Sequence, residues 1–200
     1  MEAAPTPRGQ RTRELLLSAA VEELVAHDGA MELADVARRA GVSAGAPYRH
    51  FASKSALLVA LVDAFYDNWE AEAYRPTFEE VSDDWWVREK HRILCTVAFH
   101  YAHPLGAVMQ QHLVADAEAS RQQRVRTDRQ IHGAVVNVAR GQALGRVPAH
   151  IDARLCGPLL MGGVNQALHS ALAGERMDPE RVALQLQGFM GRVLCIEDAT

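Results

Sequence analysis

Apolar residues recur every three or four positions along almost the whole chain, which is the spacing of one face of an α-helix. The sequence between them is rich in Ala, Leu, Glu, Gln and Arg, which favour helix. No alternating β-branched runs bounded by turns occur, so we predict an all-α fold without a sheet. The pattern predicts nine helices, at 10–26, 33–40, 44–51, 53–74, 83–103, 104–113, 116–144, 152–173 and 178–196.

Several residues between these segments are of the kinds that begin or interrupt helices. Ser43 and Ser53 are the predicted N-caps of the third and fourth helices, and Asp83 or Asp84 is that of the fifth. Pro158 falls inside the eighth helix, where it predicts either a kink or a later helix start.

The composition is that of an ordinary globular protein. The chain has 200 residues, of which 48% are hydrophobic and 23% are charged, enough for one large domain or two small ones. It has no apolar run of about 18 residues that would predict a transmembrane helix. Residues 1–9 have no apolar stretch like that of a signal peptide, so we expect a flexible tail and a cytoplasmic protein.

Charge is unevenly distributed along the chain. The net charge of −4 argues against non-specific coating of nucleic acid. Residues 36–62, however, contain no Asp or Glu and carry Arg38, Arg39, Arg49 and Lys54. A local positive patch on an acidic chain fits a protein that contacts phosphate at one place.

The cysteines and histidines do not form a metal-binding pattern. The three cysteines lie far apart inside apolar helical patterns, at Cys95, Cys156 and Cys195. We expect buried, reduced thiols, with a redox sensor as the alternative. His100, His103 and His112 lack the i, i+4 spacing of a helical zinc pair, so neither a metal nor a cofactor is predicted.

Residues 33–51 carry the most informative pattern. A helix-turn-helix needs small inner residues on its first helix, a tight turn, and a second helix free to enter the major groove. Ala37 permits close approach of the two helices, Gly41 supplies the turn, and Val42 fills the angle between them. The alternative is a helical hairpin within a core, with Tyr48 buried.

This segment closely resembles the tetracycline-repressor (TetR) family of bacterial regulators. Three motifs carry the resemblance: A-x-x-A-G-V-S at 37–43, Y-x-H-F at 48–51 and S-K-x-A-L at 53–57, within a match that covers about a quarter of the chain. The resemblance implies a helix-turn-helix DNA-binding domain at 1–56 and a helical ligand-binding and dimerisation domain at 57–200.

The resemblance also implies roles for single residues. Ser43 and Tyr48 would contact phosphate, and Lys54 would bind phosphate as a point charge. His50 would face the DNA backbone or help to pack the motif, and Arg49 could reach a phosphate or a base. The residues implied to face base edges are Ala44, Gly45 and Ala46. The arginines that could enter the adjacent minor groove are Arg8, Arg11 and Arg13.

Some positions depart from the family pattern. Residues 44–46 have no hydrogen-bonding side chains, so we expect thin direct base readout and a larger part for DNA shape. Leu33 and Ala34 stand where many relatives have Thr or Ser, so that phosphate contact is lost or Glu32 caps the second helix instead. Pro47 lies early enough in the third helix that its missing N–H costs little.

For the second domain, the resemblance implies a small-molecule pocket among the middle helices and a homodimer through the last two long helices. The apolar faces at 155–172 and 182–194 exceed what one small domain covers, which favours self-association. Apolar residues with a few polar ones predict an apolar or aromatic ligand. The candidate pocket residues are Trp85, Trp86, Phe99, His103, Met109, Leu113, Met161 and Asn165, with His112 and His169.

The expected function is a ligand-responsive, DNA-binding transcriptional regulator. We expect a repressor that leaves a palindromic operator when ligand spreads two recognition helices beyond their spacing of about 34–36 Å. The helix at 53–74 would be the lever. The alternative is a helical ligand-binding or protein-interaction module with weak or lost DNA binding, because residues 44–46 have no hydrogen-bonding side chains. No nucleophile–base pair or phosphate loop favours an enzyme.

Overall fold

The computed structural model describes residues 6–74, 78–111 and 116–196, which form an all-α fold without strands. A single helical turn, Phe78–Val81, accompanies the nine predicted helices. None of the described helices is long and apolar enough to cross a membrane. The nine are α1 (Pro7–Ala26), α2 (Leu33–Arg39), α3 (Ala46–His50), α4 (Lys54–Trp69, continued by a π-helical turn, Glu70–Tyr74), α5 (Trp85–Ala102), α6 (Gly106–Gln111), α7 (Ala117–Ala143), α8 (Ala153–Leu172) and α9 (Pro179–Val193).

Two of the predicted caps begin their helices as expected. Ser53 Oγ accepts a hydrogen bond from the Ala56 amide at 3.0 Å at the start of α4. Asp84 Oδ1 accepts from the amides of Trp86 and Val87 at the start of α5. These side chains satisfy amides that would otherwise have no partner in the first turn.

The flexible tail predicted for residues 1–9 is wrong for residues 6–9. α1 begins at Pro7, because Thr6 Oγ1 accepts from the Gly9 amide at 3.2 Å and caps the helix. Proline is favoured at the first helical position, where its missing N–H leaves no partner unsatisfied. Thr-Pro is therefore a helix start that lies ahead of the apolar pattern.

Three other boundaries differ from the prediction. α6 begins at Gly106 rather than at 104, because His103 Nδ1 accepts from the Leu105 amide at 3.1 Å and holds a turn first. α8 runs from Ala153 through Pro158, so the later start that we considered is wrong. α9 ends at Val193, and Cys195 turns the chain with a φ of +53°.

The expectation of three buried thiols is confirmed for Cys156 only. Cys195 is exposed and Cys95 is half-buried. Cys195 lies in the turn after α9, where its neighbours Leu194 and Ile196 take the inward positions. The apolar pattern predicts a helix to 196 with Cys195 on its buried side, but α9 ends at Val193 and Cys195 is exposed.

One apolar cluster joins the N-terminal helices to the rest of the molecule. It runs from Leu16 and Val36 through Phe65 of α4 to Phe99 of α5 and Ala119 of α7. Phe65 is 1% exposed and makes edge-on contacts with several aromatic rings. α4 is therefore a shared element of both parts of the fold rather than a linker.

Two further apolar clusters hold α5, α7, α8 and α9 together. One contains Trp85, Trp86 and Leu160, and the other contains Ile93 and Leu186. The space between the clusters forms a cavity.

Candidate functional site

The turn between α2 and α3 has the geometry that the glycine predicts. Gly41 has a φ of +65°, a left-handed conformation that favours glycine. The Val42 amide donates to the Ala37 carbonyl at 3.0 Å, and the Gly41 amide donates to the Arg38 carbonyl at 3.2 Å. These bonds close α2 and direct the chain into the second helix of the motif.

The start of α3 differs from the prediction, which placed it at 44 with Ser43 as its cap. α3 begins at Ala46, because Pro47 has no N–H to donate to the Ser43 carbonyl. That carbonyl accepts from the Ala46 amide at 2.8 Å instead, in a tighter turn. Ser43 Oγ accepts from Arg49 Nη2 at 3.3 Å.

The residues predicted to face DNA do not all lie on the surface. Ser43, Ala44, Gly45, Tyr48 and Arg49 are exposed, and His50 is half-buried. Tyr48 is 65% exposed, so the alternative of a core hairpin with Tyr48 buried is wrong.

Ala46 is the exception among the predicted base-facing residues. Its side chain is only 3% exposed, so the expectation that it faces base edges is wrong. Because α3 starts at Ala46, this position points back into the domain rather than away from it. The exposed base-facing set is therefore reduced to Ala44 and Gly45.

Lys54 is exposed in part and already has an acidic partner. Lys54 Nζ lies 2.9 Å from Glu32 Oε1. Glu32 stands at the N-cap position of α2, but its side chain makes no capping hydrogen bond, so the alternative in which Glu32 caps α2 is wrong. This ion pair partly neutralises the positive charge of Lys54, which the sequence predicts to bind a DNA phosphate.

Other basic residues of this region are also engaged within the protein. Arg39 Nε donates to Glu23 Oε1 at 2.6 Å and joins α2 to α1, and this hydrogen bond lowers the pKa of Glu23. Arg38 pairs with Asp35 at 2.8 Å. The guanidinium of Arg13 lies 5.1 Å from the ring centroid of Phe51.

The N-terminal end of α1 lies beside the end of α3. A Cβ added at Gly9 would be 3.9 Å from His50 Cε1. Arg8 and Arg11 are exposed on the first turns of the same helix. They stay candidates for contact with DNA next to the helix-turn-helix.

A cavity of about 90 Å³ lies among five helices of the larger, C-terminal part. Its walls come from the end of α4 and from α5, α7, α8 and α9. Most lining side chains are apolar or aromatic, including Trp69, Trp85, Leu160, Met161 and Met190.

Only some of the predicted pocket residues line this cavity. Met161 and Trp85 do. Phe99, His103 and Met109 pack instead around Phe65, so placing them in the pocket is wrong. Three other candidates lie away from this lining: Trp86 is buried in the neighbouring cluster, Asn165 is half-buried on α8, and His169 hydrogen-bonds to the Gln110 carbonyl. His112 and Leu113 lie outside the described residues.

Sequence reasoning missed the polar part of the lining. Glu89 is 3% exposed, and its Oε1 lies 3.3 Å from Arg92 Nη2. Burial raises the pKa of Glu89. The charge of Arg92 and a hydrogen bond with Asn137 lower it, but burial has the larger effect. The signal was present in the sequence, because Glu89 stands four residues from both Trp85 and Ile93 on one apolar face.

α7 connects the cavity to the start of α4. Its later turns line the cavity at Gly133 and Asn137. At its beginning, Asp116 Oδ2 accepts from Ser55 Oγ at 2.7 Å. Asp116 Oδ1 also caps α7 by accepting from the Ala119 amide, and that backbone bond is the main reason that the pKa of Asp116 is lowered.

A second contact between α4 and α7 lies between these ends. Arg126 of α7 is within 2.6 Å of Asp63 Oδ1 and 2.8 Å of Asp67 Oδ1, both on α4. Gln122 Nε2 donates to the same Asp63 oxygen at 2.6 Å. α7 thus lines the cavity and contacts α4 at two places, its middle and Ser55, which follows Lys54.

Comparison with known proteins agrees with the motif. Residues 16–61 match the model of the family described as bacterial regulatory proteins, tetR family. The resemblance to the TetR family is confirmed. The TetR match covers α2 and α3, just over half of α1 and the first half of α4. No curated protein sequence matches the chain.

Solved structures of bacterial transcriptional regulators share the fold along almost the whole chain. A TetR-family regulator from Syntrophomonas wolfei superposes with a TM-score of 0.77 at 14% identity, covering 93% of this chain and 96% of its own. FadR from Bacillus subtilis, in complex with stearoyl-CoA, superposes with a TM-score of 0.75 at 16% identity, covering 90% of this chain and 97% of its own. NalD of Pseudomonas aeruginosa, the secondary repressor of the MexAB-OprM multidrug efflux pump, superposes with a TM-score of 0.72 at 22% identity. The match covers 96% of this chain and 100% of NalD.

Proposed function

We propose that the protein is a ligand-responsive transcriptional regulator of the TetR type. In this proposal a homodimeric repressor leaves a palindromic operator when a small apolar or aromatic molecule enters the cavity. Residues 1–56 form its DNA-binding domain and residues 57–200 its ligand-binding and dimerisation domain. The observation that carries the proposal is the exposed Tyr48–Arg49 surface on a helix-turn-helix whose segment matches the family.

The DNA contacts follow from the chemistry of that surface. A phenol and a guanidinium side by side suit phosphate oxygens, and Ser43 Oγ lies within reach of the same guanidinium. Ala44 and Gly45 can offer only close backbone approach and a methyl contact, so phosphate contacts and DNA shape dominate recognition. Lys54 joins them once a phosphate competes with Glu32 for its ammonium group.

A second copy of the chain is the partner that fits the outer face of α8 and α9. Leu155 and Leu159 of α8 are each 66% exposed, and Leu184 of α9 is 64% exposed. A Cβ added at Gly162 would meet nothing within 4 Å, so the backbone can approach a partner closely there. The interface is narrower than the sequence suggested, because other residues of the two predicted apolar faces are buried in the protein's own core, namely Leu160, Leu168, Leu172, Val182, Leu186 and Leu194.

α7 is the element that would carry the effect of ligand to the DNA-binding helices. A ligand between α5, α7, α8 and α9 shifts a population only if it favours one arrangement of those helices. Any shift of α7 acts on α4 through Arg126 and through the hydrogen bond between Asp116 and Ser55. Ser55 follows Lys54 directly, so the change reaches the DNA-binding surface over one residue.

The test is DNA binding by the full chain, measured by fluorescence anisotropy on DNA from its own promoter region at several salt concentrations. Tyr48→Ala and Arg49→Ala are each expected to weaken binding at least about tenfold, because each removes a hydrogen bond to a charged group. Arg176→Ala is the matched control, since it removes one positive charge from the exposed loop between α8 and α9 and should leave affinity unchanged.

A further variant tests the pairing of Lys54. Glu32→Gln removes the acidic partner, so affinity should rise about twofold and depend more steeply on salt. If the native chain binds none of the DNA from its promoter region, the DNA-binding proposal is wrong and the alternative of a ligand-binding or interaction module gains.

A further inference from the structure

Two of the three cysteines lie at the open end of the hairpin that α8 and α9 form around the loop 173–178. Gly163 and Phe189 fix the register of this antiparallel pair, because a Cβ added at Gly163 would be 2.8 Å from Phe189 Cε1. Cys156 precedes Gly163 by seven residues, or about two helical turns, so it lies on the same side of α8 and faces α9. Seven residues beyond Phe189 the chain reaches Ile196, which follows Cys195. The register therefore places Cys156 level with the turn that contains Cys195.

The packing around Cys156 agrees with this register. Cys156 is buried, and it belongs to the same apolar cluster as Leu194 and Ile196, the two neighbours of Cys195. Burial raises the pKa of the Cys156 thiol, and the charge of Cys195 raises it further, an effect that falls off with the distance between the two sulfur atoms. Cys195 itself is exposed. One thiol is therefore accessible from solvent, and the other is buried at the same end of the hairpin.

The backbone at Cys195 has a conformation that usually belongs to glycine. The Ile196 amide donates to the Gly191 carbonyl at 2.9 Å, and the Cys195 amide donates to the Arg192 carbonyl at 3.2 Å. These two bonds close α9 in a Schellman motif, in which the position of Cys195, with its φ of +53°, favours glycine. The same position after α2, α7 and α8 is occupied by Gly41, Gly145 and Gly174. A negative φ at Cys195 relieves this strain, which offsets part of the cost of turning its side chain toward Cys156.

The position of Cys195 beyond the end of α9 allows the approach that a disulfide needs. The axes of packed helices lie roughly 8–10 Å apart, whereas the Cα atoms of a disulfide lie about 4.4–6.8 Å apart. Because α9 ends at Val193, Cys195 can move toward Cys156 through an adjustment of one turn. The two helices can stay packed during this movement.

We propose that Cys156 and Cys195 form a dithiol site that a low-molecular-mass disulfide, such as oxidised glutathione, converts into an intramolecular disulfide. The Cys195 thiolate first attacks one sulfur of oxidised glutathione, which forms a mixed disulfide on Cys195 and releases one glutathione. The Cys156 thiolate then attacks the Cys195 sulfur, which forms the bond between the two cysteines and releases the second glutathione. Two electrons pass from the protein to the oxidised glutathione, and the two thiol protons end on the two glutathiones released.

The bond would join the open ends of α8 and α9. These are the helices that we propose to form the dimer, and their other ends are already joined by the loop 173–178. Neither DNA binding nor a ligand in the cavity enters the reaction, so the site can be tested apart from the proposed function.

The first experiment maps the disulfides of the purified, reduced full chain after incubation with oxidised glutathione under native conditions and alkylation of the remaining thiols. Trypsin cuts after Arg and Lys, so each cysteine falls on its own peptide, 93–121, 155–176 or 193–200. Mass spectrometry should find peptides 155–176 and 193–200 joined by a disulfide. A bond only between two copies of 193–200, a bond that includes Cys95 instead, or glutathione that stays on Cys195 without a bond to Cys156 would overturn the proposal.

Single variants separate the two steps. Cys156→Ala should hold glutathione on Cys195 as a stable mixed disulfide, and Cys195→Ser should lose the crosslink completely. Cys95→Ser is the matched control and should form the crosslink as the native chain does. A crosslink that survives in Cys195→Ser, or one that is lost in Cys95→Ser, would contradict the proposed pair. If Cys156→Ala does not fold, Cys195→Ser, at an exposed position, and the peptide map of the native chain still decide.

Alkylation rates of the reduced native chain test which thiol reacts first. N-ethylmaleimide should label Cys195 at least about tenfold faster than Cys156, because Cys195 is exposed and Cys156 is buried. The same measurement in urea is the control, since unfolding exposes both thiols and should bring the two rates together. Equal rates in the native chain would contradict the order of the two steps.

Discussion

Each part of the molecule buries a glutamate, and the two are held in different ways. Glu23, in the N-terminal helices, is 3% exposed and accepts a hydrogen bond of 2.6 Å from Arg39 Nε on the neighbouring helix. Glu89, in the cavity wall, is also 3% exposed, but its arginine is on the same helix at 3.3 Å. The pKa of Glu23 is lowered by the hydrogen bond from Arg39, whereas burial raises the pKa of Glu89.

The difference shows how the two parts use charge. In the helix-turn-helix, ion pairs such as Arg39 with Glu23 close one helix on another and leave Tyr48 and Arg49 outside. In the C-terminal part, a carboxylate is buried in a mostly apolar wall beside an arginine of its own helix, and the cost of burying it still raises its pKa. Equal burial of the same residue type therefore does not imply the same role.

The largest expected effect tests whether the two parts are one folding unit. Phe65→Ala removes the fully buried ring that joins the N-terminal helices to α5, and should lower the free energy of unfolding by about 3–5 kcal/mol. Because one apolar cluster spans both parts, we expect a single cooperative transition at a lower midpoint in urea denaturation followed by circular dichroism. Val125→Ala, at an exposed position of α7, is the control. Two separated transitions would mean that the parts unfold independently.

A smaller effect tests communication between the parts. Ser55→Ala removes the hydrogen bond to Asp116 but leaves Asp116 to cap α7. Binding of toluene (a probe of the apolar cavity) alone and of DNA alone should each be retained, while the fall in DNA affinity caused by toluene should shrink about fivefold, a coupling change of about 1 kcal/mol. Ser18→Ala on the exposed face of α1 is the matched control. An unchanged ratio of DNA affinities with and without ligand would exclude this contact from the path.

The smallest expected effect separates the two glutamates by pH. The pKa of Glu23 is lower in the folded state than the ordinary value of 4.5, so its contribution is complete above pH 4.5 and is lost as the pH falls through the folded pKa. The pKa of Glu89 is higher in the folded state than 4.5, so its carboxylate destabilises the fold increasingly as the pH rises from 4.5 through the folded pKa.

The corresponding variants should therefore have opposite pH slopes in urea denaturation between about pH 3.5 and 7. Relative to the native chain, Glu23→Gln should lose stability as the pH rises, and Glu89→Gln should gain it. Slopes of the same sign would show that the two glutamates are held in the same way.

Much of the DNA-binding region could be predicted because its determinants are local. The apolar period determined the helices, Gly41 determined the turn, and the motifs at 37–43, 48–51 and 53–57 carried the resemblance to the TetR family. These features depend on residues within a few positions of one another, so the sequence carries them directly. Even there, the missing N–H of Pro47 moved the start of α3 and turned Ala46 inward.

The cavity was decided by the tertiary structure. Its wall is assembled from α4, α5, α7, α8 and α9, which lie far apart in the chain, and the side of each helix that faces the cavity depends on how all five pack. The sequence by itself determined the helical fold, the helix-turn-helix and the resemblance to the TetR family. Only the packed structure placed Trp69 and Glu89 in the cavity wall, moved Phe99, His103 and Met109 to the core around Phe65, and paired Lys54 with Glu32, because these contacts join residues that no local pattern relates.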